Sequence, residues 1–432
     1  MKKIHYLLGT FALATLFSCS SEDVVEQRND APLLTRQAIA FTSLSKGATR
    51  STVINNTSDI LSFRVYATWT GTTADSVWIQ GTKYFESTLP TMTNHSAYMG
   101  FKGTEGDQNG LEIQNNSGAF DYKDQTMVQY WPYTPTLDAT DNTKITGYTC
   151  APLSFYAVTP AATKMNLAWD ELATYTYTTP TDVASMTDIC FAKNEVVDNS
   201  AGSVTMHFSH LLSQVIFKAK KGNNYVAEIK EIEIGGFKNK AKYNLQTANL
   251  TNDTTTAQGK TGYQPELDAS ATGMAFSGFS GSAINLPDQE DADSPYQLTT
   301  ANQALLLIPQ DVTAWQTGGT VDAGANNGGY LKVTYRAKVT GSEKWATGEG
   351  DGYTTRYFPL SVKWKAGRKY VYSLLIGGAK NPEQPADPDN PNPNPGGGGG
   401  FDVHGNPIAP SVPITFAVEV DEWNVRNVNV TL

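Results

Sequence analysis

The sequence predicts an all-β protein built from two β-sandwich domains in tandem. Runs of alternating apolar and polar residues, such as Phe63–Trp69 and Gln214–Lys220, recur along the chain with the period of half-buried strands. Clusters of Gly, Asn, Asp and Pro separate these runs, and no long amphipathic helix is predicted, although Asn166–Tyr175 is compatible with a helical turn. At 432 residues the chain exceeds one ordinary hydrophobic core, which predicts two domains.

The N-terminus predicts export and a lipid anchor. Two lysines precede the apolar stretch Leu7–Phe17, an arrangement typical of a signal peptide. The stretch ends in Leu16-Phe17-Ser18-Cys19, which resembles a bacterial lipobox; ordinary signal peptidase cleavage is the alternative. We therefore predict a signal peptide over residues 1–18 and a polar spacer over residues 19–36. We also predict that Cys19 is acylated and that its acyl chains insert into the lipid of the outer membrane.

The rest of the chain divides by composition. The first sandwich is predicted over residues 37–202 and the second over 203–377, with the boundary in a small, polar stretch. A Pro- and Gly-rich linker follows over 378–412, and a terminal strand segment over 413–432. The linker is long enough to carry the terminal strand to a neighbouring molecule. The alternative is a final core strand that follows a long surface loop.

The sequence does not predict a catalytic, cofactor or metal site. His207 and His210 straddle a strand and a turn, and no acidic third ligand lies at a motif spacing, so packed or solvated histidines are expected. The acidic stretch 288–293 lacks the glycine and glutamate pattern of a calcium loop. The net charge of −10 argues against nucleic acid as a partner. Cys150 and Cys190 are open to either a disulfide or two buried thiols.

Several short motifs, taken together, resemble the fimbrillin family, the pilin-like lipoproteins of type V pili in some Gram-negative bacteria. Besides the lipobox, the matching motifs are Tyr130-Trp131-Pro132, Leu153-Ser154-Phe155-Tyr156-Ala157, Asp188-Ile189-Cys190-Phe191-Ala192, Phe208-Ser209-His210-Leu211-Leu212-Ser213-Gln214-Val215, Leu306-Leu307-Ile308-Pro309-Gln310 and Trp364-Lys365-Ala366-Gly367-Arg368-Lys369-Tyr370. The resemblance implies two transthyretin-like sandwich domains. It also implies assembly in which proteolysis removes the first strand and a neighbour's C-terminal strand fills the groove.

Three groups of residues become candidates for this assembly. Arg50 lies in a polar loop of small residues, where proteases cut readily, and is the candidate processing site. The displaced first strand would carry Ile39 and Phe41, and the terminal strand repeats this Ile-x-Phe pattern. The candidate donor residues are Ile414, Phe416, Val418, Val420 and Trp423.

Two functions are consistent with the sequence. The first is a structural subunit of a surface fimbria, whose partners are other fimbrial subunits and which supports adhesion. The second is a monomeric surface lipoprotein that binds a host receptor, another host ligand or a glycan through its sandwich faces and loops. Exposed aromatic side chains could stack on sugars there, although most tryptophans in a sandwich belong to its core. The aromatic residues considered for this role are Trp69, Trp78, Trp315 and Trp345. The tethered terminal strand favours the first, because a monomeric binder has no use for it.

Overall fold

The computed structural model describes residues 37–42, 60–70, 78–79, 82–83, 96–99, 110–116, 119–131, 133–141, 144–150, 152–163, 166–168, 171–244, 264–288, 296–299, 304–325, 327–377, 398–409 and 412–422. Strands dominate these residues, which confirms the all-β class. The strands up to the end of the first large sheet are β1 (Phe41–Thr42), β2 (Ser62–Thr70), β3 (Trp78–Ile79), β4 (Thr82–Lys83), β5 (Ser96–Met99), β6 (Leu111–Asn116), β7 (Ala119–Tyr122), β8 (Tyr133–Leu137), β9 (Ile145–Cys150), β10 (Leu153–Thr159), β11 (Asn166–Ala168), β12 (Glu171–Thr178), β13 (Cys190–Val197), β14 (Val204–Thr205) and β15 (Ser209–His210). Those that follow are β16 (Ser213–Lys221), β17 (Tyr225–Lys238), β18 (Lys240–Asn244), β19 (Glu266–Leu267), β20 (Gly273–Asn285), β21 (Tyr296–Gln297), β22 (Leu305–Leu307), β23 (Asp311–Val312), β24 (Tyr330–Val339), β25 (Thr354–Pro359), β26 (Val362–Lys363), β27 (Arg368–Ile376) and β28 (Ile414–Glu422).

The helical content of the described residues is confined to short 3-10 turns at Gln125–Met127, Val183–Ser185 and Ala323–Ala325. No helix among them is long and apolar enough to cross a bilayer. The helical turn considered for Asn166–Tyr175 is wrong, because β11 and β12 pair there as antiparallel strands. The alternating Thr and Tyr residues of β12 fit a pleated sheet, and pairing with β18 completes it.

The first large sheet has the strand order β14-β1-β7-β6-β2-β10-β13-β15, with β5 also paired to β2. Successive side chains of a strand point to opposite faces. On one face Phe63 and Phe155 pack into the first core. On the other, Tyr66 and Tyr156 join the larger core that contains the second sandwich. Because both faces are covered, β10 is buried along its whole length, as its nearly continuous apolar sequence predicts.

The first sheet continues past residue 202, where the sequence places the domain boundary. β14 pairs with β1, and β15 pairs with β13, so the sheet ends at His210. The polar stretch before β14 is a turn between strands of this sheet, closed by a hydrogen bond from the Gly202 amide to the Asn199 carbonyl. Its composition resembles that of a domain linker because turns and linkers favour the same residues.

The second sandwich consists of a five-stranded layer and a four-stranded layer around a shared core. One has the order β21-β16-β27-β28, with β22 beside β16, and the other has the order β20-β17-β24-β25. Within the first layer β16 and β27 run parallel, whereas β28 pairs antiparallel with β27. Large aromatic side chains fill the core, including Trp364 stacked on Phe237 at 4.6 Å between ring centroids. The terminal strand is therefore the edge of one of these layers.

The strand β20 is not predicted by the sequence, because its Gly- and Ser-rich composition is typical of turns. It pairs with β17 through several register shifts, so its pattern departs from simple alternation. A Cβ atom at Gly278 would lie 2.4 Å from the ring of Phe217. The glycine therefore lets the aromatic ring pack directly against the backbone, a requirement that depends on a residue distant in sequence.

Candidate functional site

The first candidate element is the strand that carries Ile39 and Phe41. β1 pairs parallel with β14 and, through Phe41 alone, antiparallel with β7. Just before β1, the Ile39 amide donates to the Gln129 carbonyl at 2.8 Å, and the Tyr122 hydroxyl donates to the Ile39 carbonyl at 3.0 Å. The Val204 amide donates to the Ala40 carbonyl at 2.8 Å. Few backbone hydrogen bonds therefore hold this short strand between its neighbours.

The side chains of this strand are deeply buried. Ile39 is fully buried and Phe41 is 4% exposed, both in the first core. Three aromatic rings surround Phe41 edge-on, those of Phe63, Tyr122 and Phe155, with centroids 5.8–6.0 Å away. Burial of two such side chains contributes roughly 1.5–3 kcal/mol each. Side-chain packing thus holds this strand in place more than its backbone hydrogen bonds do.

The terminal strand is far more extensively paired. β28 lies antiparallel to β27 over its full length, from Ile376 opposite Ile414 to Arg368 opposite Glu422. Ile414, Phe416 and Val418 are buried in the second core. The Phe416 ring meets that of Phe358, from the opposite layer, at 4.9 Å. Val420 lies opposite Tyr370 in the register.

The segment that leads into β28 is docked on the second sandwich. The amides of Gly398 and Ile414 each donate to the other's carbonyl, and Phe401 pairs with Tyr357 of β25 in the same way. The Phe401 ring also packs edge-on against Trp315 at 5.8 Å. Residues 398–409, which the sequence assigns to the linker, are therefore packed against the domain rather than extended from it.

A buried tyrosine fixes the start of the terminal strand. The Tyr335 hydroxyl, on β24, donates to the Val412 carbonyl at 3.0 Å. Burial raises the pKa of Tyr335 to about 12, so the hydroxyl stays protonated and can donate this bond at neutral pH. The bond ties the entry of β28 to the opposite layer of the sandwich.

The two Ile-x-Phe strands thus lie in different cores of one chain. Ile39 and Phe41 belong to the first core, and Ile414 and Phe416 to the second. The sequence pattern predicts that both fit one groove, whereas within a single chain each already occupies its own. Strand exchange between chains remains a prediction.

The remaining predicted residues differ in whether the structure describes them. Cys19, Arg50 and Trp423 lie outside the described residues. Cys150 and Cys190 do not form a disulfide. Trp315 is 1% exposed, so its assignment as an exposed sugar-stacking residue is wrong; it fills the space beneath Phe401.

The other tryptophans considered for sugar binding give little support to that role. The Arg336 guanidinium lies 4.1 Å from the ring centroid of Trp345, which is half-buried, so a cation already covers that ring. The side chains of Trp69 and Trp78 lie outside the described part of the structure.

Comparison with known proteins finds a family and several solved structures that match most of the chain. A sequence profile of fimbrillin-like proteins matches residues 49–386. Among solved structures, the chain is similar to a fimbrial protein from Bacteroides vulgatus, at 16% identity and a TM-score of 0.45, over 90% of this chain and 100% of that chain. It is also similar to candidate cell adhesion proteins from Bacteroides uniformis (13% identity, TM-score 0.40, 90% and 99% covered) and Bacteroides ovatus (15%, 0.39, 91% and 99%). No curated protein sequence matches the chain.

Proposed function

Because this chain belongs to the fimbrillin-like family, we propose that it is a structural subunit of a surface fimbria that supports adhesion. In this proposal the subunit is exported as a lipoprotein anchored through Cys19. Proteolysis at Arg50 then triggers polymerisation by strand exchange with other fimbrial subunits.

The observation that carries the proposal is the manner in which β1 is held. β1 has two residues and a single register pair with β7. Yet Ile39, just before β1, and Phe41 within it are buried in the first core, where aromatic rings line the slot that Phe41 fills. A cut at Arg50 would separate this strand from the rest of the domain. After the cut, β1 would be bound to the domain only as a separate peptide. It would lose the high effective concentration that its covalent connection to the domain provides. An emptied slot exposes backbone groups and apolar rings, which favours capture of another strand.

A count of strands narrows the identity of the donor. Cleavage removes one strand from each subunit, and if β28 also left, its own sandwich would lose the buried Ile414, Phe416 and Val418. Each subunit would then have two open slots and only one strand to fill them. We therefore propose that β28 stays paired in its own subunit and that residues 423–432 enter the open slot of a neighbouring subunit. That part contains Trp423 and the alternating apolar residues Val428, Val430 and Leu432.

Two engineered disulfides test this scheme. Thr42→Cys with Thr205→Cys would join β1 to β14, because these residues are register partners. Ser373→Cys with Ala417→Cys would join β27 to β28 across the antiparallel ladder. Each double variant is treated with a trypsin-like protease under oxidising and reducing conditions, and polymers are measured by electron microscopy. The single variants Thr42→Cys and Ser373→Cys serve as controls.

The expected results differ between the two disulfides, which we call the β1 lock (positions 42 and 205) and the β28 lock (positions 373 and 417). The oxidised β1 lock should prevent polymers even after cleavage, and reduction should restore them. The oxidised β28 lock should polymerise as the unmodified protein does. Polymers from a fully oxidised, cleaved β1 lock would exclude strand exchange at this slot. A β28 lock that blocks assembly would instead make β28 itself the donor, as the Ile-x-Phe pattern alone predicts.

Lipidation has a separate test. Cys19→Ala removes the thiol that the lipobox would present for acylation, so the variant should be found in the soluble fraction, whereas the unmodified protein partitions with membranes. Mass spectrometry of the mature N-terminus provides the control. Continued membrane partitioning of the variant would contradict the proposed anchor.

A further inference from the structure

Three potential metal ligands converge where the first sheet meets the second sandwich. Cys190 begins β13, and His210 of β15 lies directly opposite it in the antiparallel register. Asp188 precedes Cys190 by two residues and so falls on the same side of the chain. The hydrogen bond from the Leu211 amide to the Ile189 carbonyl extends the pairing and fixes the spacing. Sequence spacing does not reveal this group, because His210 reaches the other two only through strand pairing.

The donor atoms of these residues are close together and shielded from solvent. The Sγ atom of Cys190 lies 3.3 Å from Nδ1 of His210, and the two carboxylate oxygens of Asp188 lie 3.1 and 3.0 Å from the same Nδ1. One donor atom from each residue lies within 4.8 Å of the others. The side chains of His210 and Asp188 are 1% and 0% exposed, and Cys190 is fully buried.

A hydrogen-bonded cluster and a bound cation would use these donor atoms differently. A single ring nitrogen either carries a proton or accepts one, and here it faces both a thiol and a carboxylate. If Nδ1 donates to Asp188, it offers no lone pair to the thiol of Cys190. A cation between the three groups would use a lone pair from each of them.

The spacing suits a small divalent ion. Zinc binds nitrogen, carboxylate oxygen and sulfur at about 2.0–2.3 Å, so neighbouring ligands around a tetrahedral ion are separated by roughly 3.3–3.6 Å. The separations from Nδ1 of His210 to the carboxylate and to the thiol, 3.0 and 3.3 Å, would need to widen by only a few tenths of an ångström, and the thiol and carboxylate lie within 4.8 Å of each other. One thiolate and one carboxylate would also balance the charge of a divalent cation, which lowers the cost of a fully buried site.

We propose that Asp188, Cys190 and His210 bind one zinc-like divalent metal ion, which ties β13 to β15 beside the second sandwich. A water molecule completes the tetrahedral shell. The ion is acquired as the chain folds, since the finished site is closed to solvent. Its role is structural, and no reaction is assigned to it.

Binding also has a proton balance. Burial, and secondarily the charge of Asp188, raise the pKa of Cys190 well above its usual value, so the metal-free thiol is neutral. On binding, the S–H proton leaves to solvent as the sulfur–metal bond forms.

The test uses cobalt(II) and zinc(II) as probes on the full chain, refolded from denaturant. Refolding with cobalt should give one ion per chain and the near-ultraviolet absorption band of a cobalt–thiolate bond, and zinc should displace the cobalt. Cys190→Ser should lose the band. Cys150→Ser, which removes the other described thiol, and His207→Gln, which changes the exposed neighbouring histidine, should both keep it.

The unmodified chain provides a readout that does not depend on the variants folding. Zinc present during refolding should raise the melting temperature, because a ligand that binds only the folded state stabilises it. A chain that refolds in excess zinc with no bound metal and an unchanged melting temperature overturns the proposal. A cobalt–thiolate band that persists in Cys190→Ser also overturns it, because the sulfur ligand would then be another thiol.

Discussion

The substitution Phe41→Ala tests directly how β1 is held in the first core, because it removes the ring that packs there. Phe41 is 4% exposed and has three aromatic rings within 6.0 Å, so its truncation leaves a cavity that those rings cannot readily close. Replacing a buried phenylalanine by alanine typically costs about 3–5 kcal/mol. Since each 1.4 kcal/mol is a factor of ten in an equilibrium constant, β1 should open at least roughly a hundredfold more often.

Hydrogen exchange measures this opening at individual amides. The Ile39 amide donates to Gln129 and the Val204 amide donates to Ala40, so both lose protection when the strand detaches. We expect Phe41→Ala to speed exchange at these amides and to spare those of β17 and β24. The matched control is Phe276→Ala, an equally buried phenylalanine in the second core, which should leave the β1 amides unchanged.

The same variant has a consequence for assembly. A strand that detaches more often should allow polymers to form with less protease, or with none. Uniform acceleration of exchange across the chain would show that β1 opens only with the whole domain. Local opening of less than about tenfold would contradict the argument that Phe41 is the main anchor of the strand.

Three further changes test other parts of the structure. Arg50→Ala should resist trypsin-like activation and stay monomeric, as judged by N-terminal sequencing and electron microscopy; normal polymers would move the processing site elsewhere. Gly278→Ala should lower the free energy of unfolding by about 1–3 kcal/mol, because the added methyl group meets the Phe217 ring. Gly147→Ala, where nothing lies within 4 Å, is the control in the same denaturation assay, and equal losses would contradict the steric explanation. Tyr335→Phe should cost about 1 kcal/mol and reduce amide protection at the start of β28, whereas unchanged protection would mean that this bond does not secure the strand.

Local sequence patterns determined much of the secondary structure. Strands with clear alternation were predicted close to their observed bounds, as for Phe63–Trp69 within β2 and for the start of β28 at Ile414. Alternation is a local property of the chain, because one face of a strand is buried wherever the strand lies. Where composition and structure disagree, as in the glycine-rich β20, the explanation lies in a distant residue, since Gly278 is required by the ring of Phe217.

The partner of each strand was decided by the tertiary structure. The terminal strand was predicted as a strand, but its pairing with β27 and the burial of Phe416 against Phe358 depend on contacts far apart in sequence. Trp315 is buried because Phe401, from the segment that the sequence assigns to the linker, packs against it. Asp188 and Cys190 meet His210 only through the register of β13 and β15. The hydrophobic period of a segment specifies which of its faces is apolar. The residues that cover that face are distant in sequence, so no local pattern identifies them.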